Sequence, residues 1–103
     1  MRIVPDEGTR RERIVIIGEM PAQHEESQGR PFVGPSGGVL AKWHREIGLQ
    51  RSDFYWTNVI PYRHNKTNNV GLVPWDERQQ YIEELHDRIA ALADPWLIVP
   101  TGN

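Results

Sequence analysis

The chain has 103 residues and a mass of 11.9 kDa, the size of one small domain, since single domains commonly run to about 100–150 residues. It contains no cysteine, which excludes disulfides, thiolate metal sites and cysteine nucleophiles, and no apolar run approaches the ~20 residues of a bilayer span. Twelve basic and 14 acidic residues leave a net charge of −2, so no global positive field draws the chain to nucleic acid or a membrane, and any such contact is local.

The N-terminus from Met1 to Arg13 is too charged for a secretory apolar segment, and a cytoplasmic domain is expected. Charge is uneven: residues 1–69 hold 10 basic and 8 acidic groups, and residues 70–103 hold 2 and 6. Apart from Lys42 and Lys66 the basic residues are arginines, which suit bidentate phosphate contacts, although each one also reads as solvated surface.

Residues 1–12 read as an N-terminal arm and residues 13–103 as one α/β domain. Arg13-Ile-Val-Ile-Ile-Gly18 is a β-branched run closed by glycine, the pattern of a strand buried on both faces. A long irregular stretch runs from Glu19 to Pro35. Ser36 or Gly37 then opens a helix with Val39, Leu40, Trp43 and Ile47 on one face and Gly48 just past its end. Phe54-Tyr-Trp-Thr-Asn-Val-Ile60 is rich in aromatic and β-branched residues and predicts a second strand. Pro61 to Pro74 is again irregular and carries Arg63 and His64.

The second helix has the clearest period. Ile82, Leu85, Ile89 and Leu92 recur at helical spacing, with Glu83, Glu84, Asp87 and Arg88 on the other face. Pro74, Asp76 and Glu77 are favourable start signals, and Asp94-Pro95 stops the helix because the residue before proline avoids the α region. Trp96-Leu-Ile-Val-Pro100 predicts a third buried strand. The order β-α-β-α-β implies a three-layer α/β/α domain with a parallel central sheet and right-handed crossovers.

In open α/β sheets, ligands bind beyond the carboxyl ends of the strands. Residues 18–36, residues 58–74 and the terminus from Thr101 lie there. The first two segments exceed the usual 2–6 residue connection, and such long loops in compact domains are either functional or disordered. A parallel sheet of three strands is small, so a partial domain is expected.

Within these segments, Pro31-Phe-Val-Gly-Pro-Ser-Gly-Gly38 leads into a helix start, which favours an anion or is simply a glycine-rich turn; it is neither a Walker loop nor GxGxxG. Phe32, amid polar residues, either stacks on a nucleobase or plugs the edge of a core. Glu19 puts a carboxylate at the ligand surface or is a solvated loop acid. Asn58 sits in an otherwise apolar strand and needs amide partners: it either ties down a loop or reads a ligand edge. The four histidines show no metal-ligand spacing. His44 and His86 read as surface, His24-Glu25-Glu26 is a weak cation candidate, and no metal site is expected.

Together, Gly18-Glu-Met-Pro21, Gly29-Arg-Pro-Phe-Val-Gly34 with Ser36-Gly37, Thr57-Asn-Val-Ile60 and Arg63 resemble the uracil-DNA glycosylase superfamily, in particular its family-4 branch, over residues 13–103. The resemblance implies the superfamily fold, a DNA substrate containing uracil, and no membrane partner. It makes Glu19 the polar catalytic group beside the sugar. Phe32 would stack on the flipped base, Asn58 would bond its edge, and Gly18 would let it approach. Pro21, Gly29, Arg30, Gly34, Ser36, Gly37 and Arg63 would line the pocket and meet backbone phosphates.

Three departures accompany the resemblance. Family-4 enzymes hold an iron–sulfur cluster on four cysteines, one of them after the second strand; here Tyr62 stands in that place, so no cofactor is expected. Ala22 replaces a glycine in the first motif. The superfamily's last motif, a histidine-containing segment, lies downstream of the third strand, and the chain stops at Asn103. The leading expectation is therefore a cluster-free uracil-DNA glycosylase represented by its N-terminal part or by a shortened variant. The alternative is a non-catalytic base- or nucleotide-binding module, or a subunit completed by another chain, with exposed apolar surface driving self-association. A third reading, phosphoryl transfer, would place metal-dependent nucleotide binding at Ser36–Gly38.

Overall fold

A computed structural model describes residues 3–64 and 73–101, without the Ser36 side chain. The elements are β1 (Ile14–Gly18), α1 (Gln23–Gln28), α2 (Pro35–Glu46), a 3-10 turn (Arg51–Asp53), β2 (Phe54–Asn58), α3 (Trp75–Ala90) and β3 (Leu97–Pro100). The three strands form a parallel sheet in the order β2-β1-β3. β1 is central because its Val-Ile-Ile run is apolar in both directions. Val15 and Ile17 face Tyr55, Leu92 and Ile89 on the α3 side. Ile14 and Ile16 face Phe54, Trp56 and Leu40 on the α2 side. Helices thus cover both faces, as a three-layer α/β/α domain requires. Each large side chain wholly removed from water in this core, such as Trp56, Phe54 and Ile16, contributes roughly 1.5–3 kcal/mol.

Several local readings are corrected. The stretch from Glu19 to Pro35 contains α1, a helix too short and polar to show a period. Glu25 starts it by accepting the Ala22 N–H at 3.1 Å, and Gly29 ends it in the left-handed conformation at φ 69°. β2 ends at Asn58 rather than Ile60. α2 turns Leu40 and His44 inward, while Val39, Trp43 and Ile47 are exposed at 71%, 43% and 53%. The phase is set by Gly37: a Cβ there would collide with the Phe32 carbonyl, so the Gly37 side of the helix must face the loop and sheet. His44 is therefore buried rather than on the surface, packed against Phe54 and Trp56 with Nδ1 3.0 Å from the Leu49 carbonyl. On α3, Ile82 turns outward, and Arg88, expected on the solvent face, turns in to the Asn58 carbonyl.

β3 is the other correction. Leu97 and Ile98 are 52% and 45% exposed, because β3 is an edge strand whose only strand partner among the described residues is β1. The N-terminal arm runs beside the opposite edge. Glu7 and Trp56 exchange two backbone hydrogen bonds of 2.9 Å, and the Val4 N–H donates to the Pro61 carbonyl at 2.7 Å, so the arm lies antiparallel to β2. Lys66 and the asparagines after it lie outside the described residues.

Candidate active site

The in-register pairing of β1 and β2 ends with Gly18 opposite Asn58, so both strands deliver their last residues to one rim. Gly18 has no room for a side chain: a Cβ would collide with the Asn58 carboxamide oxygen and lie 2.6 Å from the Phe32 ring. Three separate stretches of sequence meet at that point. Above it opens a cavity of about 330 Å³ lined by Gly18, Glu19, Pro21, Phe32, Gly37 and Asn58, together with Met20, Glu25, Leu40 and Thr101. This volume lies within the range of small-molecule sites. Glu19 follows β1 directly, and its carbonyl accepts the Ile60 N–H at 2.9 Å, which pins the backbone behind the carboxylate.

Phe32 occupies the left-handed region at φ 55°, a conformation costing of order 1–3 kcal/mol for a non-glycine residue. Its neighbours hold it there. The Glu25 carboxylate accepts the N–H groups of Val33 at 2.9 Å and Gly34 at 2.5 Å, closing the loop onto α1. Arg51 donates from Nη1 to the Phe32 carbonyl at 3.0 Å and from Nη2 to the Pro31 carbonyl, while its guanidinium lies 4.6 Å from the centre of the Trp56 ring. The Phe32 and Trp56 rings are 5.2 Å apart. The aromatic wall is thus fixed from the core side as well as along the backbone.

Asn58 is 7% exposed. Its backbone carbonyl accepts a 2.7 Å hydrogen bond from Arg88, while no described residue hydrogen-bonds its carboxamide. Asn58 lines the cavity, and its carboxamide carries both a donor and an acceptor.

The remaining predicted residues divide. Pro21 and Gly37 line the cavity, while Gly29, Arg30, Gly34 and Arg63 do not. Arg30 is half exposed and pairs with Glu7 at 2.8 Å. Arg63 lies 4.0 Å from Glu26. The Ser36 side chain lies outside the description. Sequence reasoning missed Glu25 and Arg51. Glu25 stands three residues after Ala22, the spacing by which an N3 carboxylate reaches back to a helix start. Arg51 is 19 and 20 residues from the carbonyls it holds, and no local pattern announces it. The expected weak cation candidate at His24–Glu26 is otherwise used: Glu25 binds backbone amides, and among the described residues no cluster suited to a metal is found.

Ionisation follows these contacts. Burial works to raise the Glu7 carboxyl, but hydrogen bonds and charge from Arg30 and Arg51 outweigh it and hold the pKa below 4.5. Burial, then the Asp6 carboxylate, pushes the Tyr55 phenol up to about 12, keeping it a hydrogen-bond donor at neutral pH. Burial, then Tyr81 and Glu77, also pushes Tyr62 upward.

A family model described as the uracil DNA glycosylase superfamily matches residues 5–103. The chain belongs to that superfamily. A Type-4 uracil-DNA glycosylase of Thermotoga maritima is 44% identical over 61 residues, covering 59% of this chain and 32% of that protein. Its Archaeoglobus fulgidus counterpart is 43% identical over 60 residues, covering 58% and 30%. A DNA polymerase of Bacillus phage SP01 is 29% identical over 98 residues, covering 94% of this chain and 10% of that protein. The chain thus spans about a third of the length of the Type-4 relatives.

Tyr62 stands where the resemblance to this superfamily's family-4 branch places a cluster cysteine. Its ring packs edge-on against Tyr81 at 5.6 Å, within a buried group formed with Ile60 and Val73. A phenol there and no thiolate anywhere in the sequence do not fit a four-cysteine iron–sulfur cluster. Among the described residues no helix is long and apolar enough to cross a membrane.

Proposed function

We propose that this chain forms the base pocket of a uracil-DNA glycosylase, hydrolysing the N-glycosidic bond of uracil in DNA. A base inside a duplex is out of reach, so it must be extruded into a pocket that supplies stacking and edge contacts. Phe32 stacks on the extruded base. The Asn58 carboxamide donates to uracil O4 and accepts from N3–H, a pairing that cytosine reverses. Glu19 orients the water whose oxygen bonds to C1′ of the sugar as the C1′–N bond breaks and its electron pair leaves with the base. The carboxylate favours the positive charge that develops on the sugar, and fixed donors near the base favour the departing anion. Arg30, Arg63 and the loop from Gly29 to Gly38 contact backbone phosphates. What supports this reading is the meeting of Glu19, Phe32 and Asn58 around one cavity at the carboxyl edge of the strands. The names of the Type-4 relatives add to that support.

The test is incubation with single- and double-stranded oligonucleotides containing one uracil, scoring alkali-labile abasic sites. Breaks at uracil are expected, with Glu19→Gln and Asn58→Ala each lowering the rate by about 10²–10³. Excision by Glu19→Gln at an undiminished rate removes the role given to Glu19.

A second reading is a base-binding module or a subunit completed by another chain. It is favoured by the exposed β3, with Leu97 at 52%. Retention of the uracil oligonucleotide without cleavage would select it.

A further inference from the structure

The arm ahead of β1 carries two adjacent carboxylates that reach opposite faces of the sheet. The arm is extended where Glu7 pairs with Trp56, and successive side chains on an extended segment point to opposite sides. Asp6 falls on the α3 side, where it accepts the Thr57 hydroxyl at 2.7 Å and the Tyr55 hydroxyl at 2.8 Å. It also lies 3.8 Å from Arg88 Nε, a buried nitrogen with no hydrogen-bond partner among the described residues. Arg88 Nη2 in turn holds the Asn58 carbonyl at 2.7 Å. Glu7 falls on the α2 side, accepting Arg51 Nε at 2.6 Å and Arg30 Nε at 2.8 Å. The other two nitrogens of Arg51 hold the carbonyls of Pro31 and Phe32.

We infer that Asp6 and Glu7 are positioning residues for the pocket, Glu7 fixing the Phe32 wall through Arg51 and Asp6 fixing the Asn58 wall through Arg88. The inference rests on the base-pocket reading for its purpose, though its geometry can be tested separately. Covering the β2 edge does not require either acid, because the backbone hydrogen bonds of Glu7 and Val4 do that alone. The carboxylates have a distinct role. Arg51 is planar, and its fork reaches two carbonyls only while its Nε edge is held. Its side chain is 27% exposed, so without Glu7 it is drawn toward solvent and the left-handed Phe32 backbone loses its support. Asp6, itself 17% exposed, supplies the counter-charge beside the buried Nε of Arg88; the Arg88 side chain is 27% exposed, so without Asp6 its guanidinium too is drawn toward solvent and away from the Asn58 carbonyl.

The test uses isotope-labelled full chain and two-dimensional NMR, with free uracil titrated as the probe. Glu7→Gln and Arg51→Lys are expected to move the Phe32 ring and the Val33 and Gly34 amide resonances while leaving the Asn58 side-chain amide in place. Asp6→Asn is expected to do the reverse. Each variant is expected to weaken uracil binding about tenfold. If Asp6→Asn does not fold, Arg88→Lys, which replaces the planar fork with a single ammonium, must move the Asn58 amide and spare Phe32. Shifts confined to residues 3–12, or shifts spread alike over both walls by either acid variant, would overturn the inference. If the unsubstituted chain binds no uracil, the base-pocket reading fails, while the wall-specific shifts still decide the role of the two acids.

Discussion

At the scale of single residues, Glu19, Phe32 and Asn58 were legible as candidates because each is out of character with its surroundings: an acid after an apolar strand, a ring in a polar loop, an amide in an aromatic run. What holds them was not legible. Arg51, Arg88, Asp6 and Glu7 act across the fold, and a guanidinium on a helix or before a strand looks like any solvated cation until the chain is folded. Glu7 gives a pH-dependent prediction. Its folded pKa is held below 4.5 by Arg30 and Arg51, so its contribution to stability is complete above the unfolded value and is lost as pH falls through the folded one. Thermal unfolding between about pH 5 and pH 3 should therefore show a steeper loss of Tm for the native chain than for Glu7→Gln. Parallel curves would contradict the pairing.

At the scale of elements, strands and the two longer helices could be read, since β-branched runs and a helical period report burial directly. The phase of α2 could not. Four apolar side chains suggested one inner face, but a close approach between Gly37 and a loop carbonyl rotates the helix so that a histidine goes inside and a tryptophan faces out. α1 escaped notice because it is held by one carboxylate and a left-handed glycine rather than by an apolar stripe. The rotation has a measurable consequence. His44→Ala removes a buried ring and its contact with the Leu49 carbonyl and should lower stability by about 2–4 kcal/mol. Trp43→Ala, at a position 43% exposed, should cost about 1 kcal/mol or less. Urea unfolding of the two variants checks the order, and the reverse order would restore the face inferred from hydrophobicity.

At the scale of the whole molecule, α/β class, parallel order and the strand edge at which the cavity opens all followed from the alternation of elements. The exposure of β3 did not, because an apolar run reads the same whether or not a neighbour covers it. Leu97, Ile98 and Trp96 leave apolar surface beside an edge with no strand neighbour among the described residues, the kind of surface on which strands add. Sedimentation velocity should show an apparent mass that rises with concentration, and Leu97→Lys should suppress that rise with little change in Tm. A strictly monomeric native chain would argue against association through this edge.

The backbone of Phe32 sets a limit on how this pocket can vary. Glycine is the residue its torsion angles favour, yet glycine would leave no ring to line the cavity or to rest on Trp56. Conformational ease and packing therefore compete at one residue: Phe32→Gly would relax the loop but remove the ring that closes this wall of the cavity.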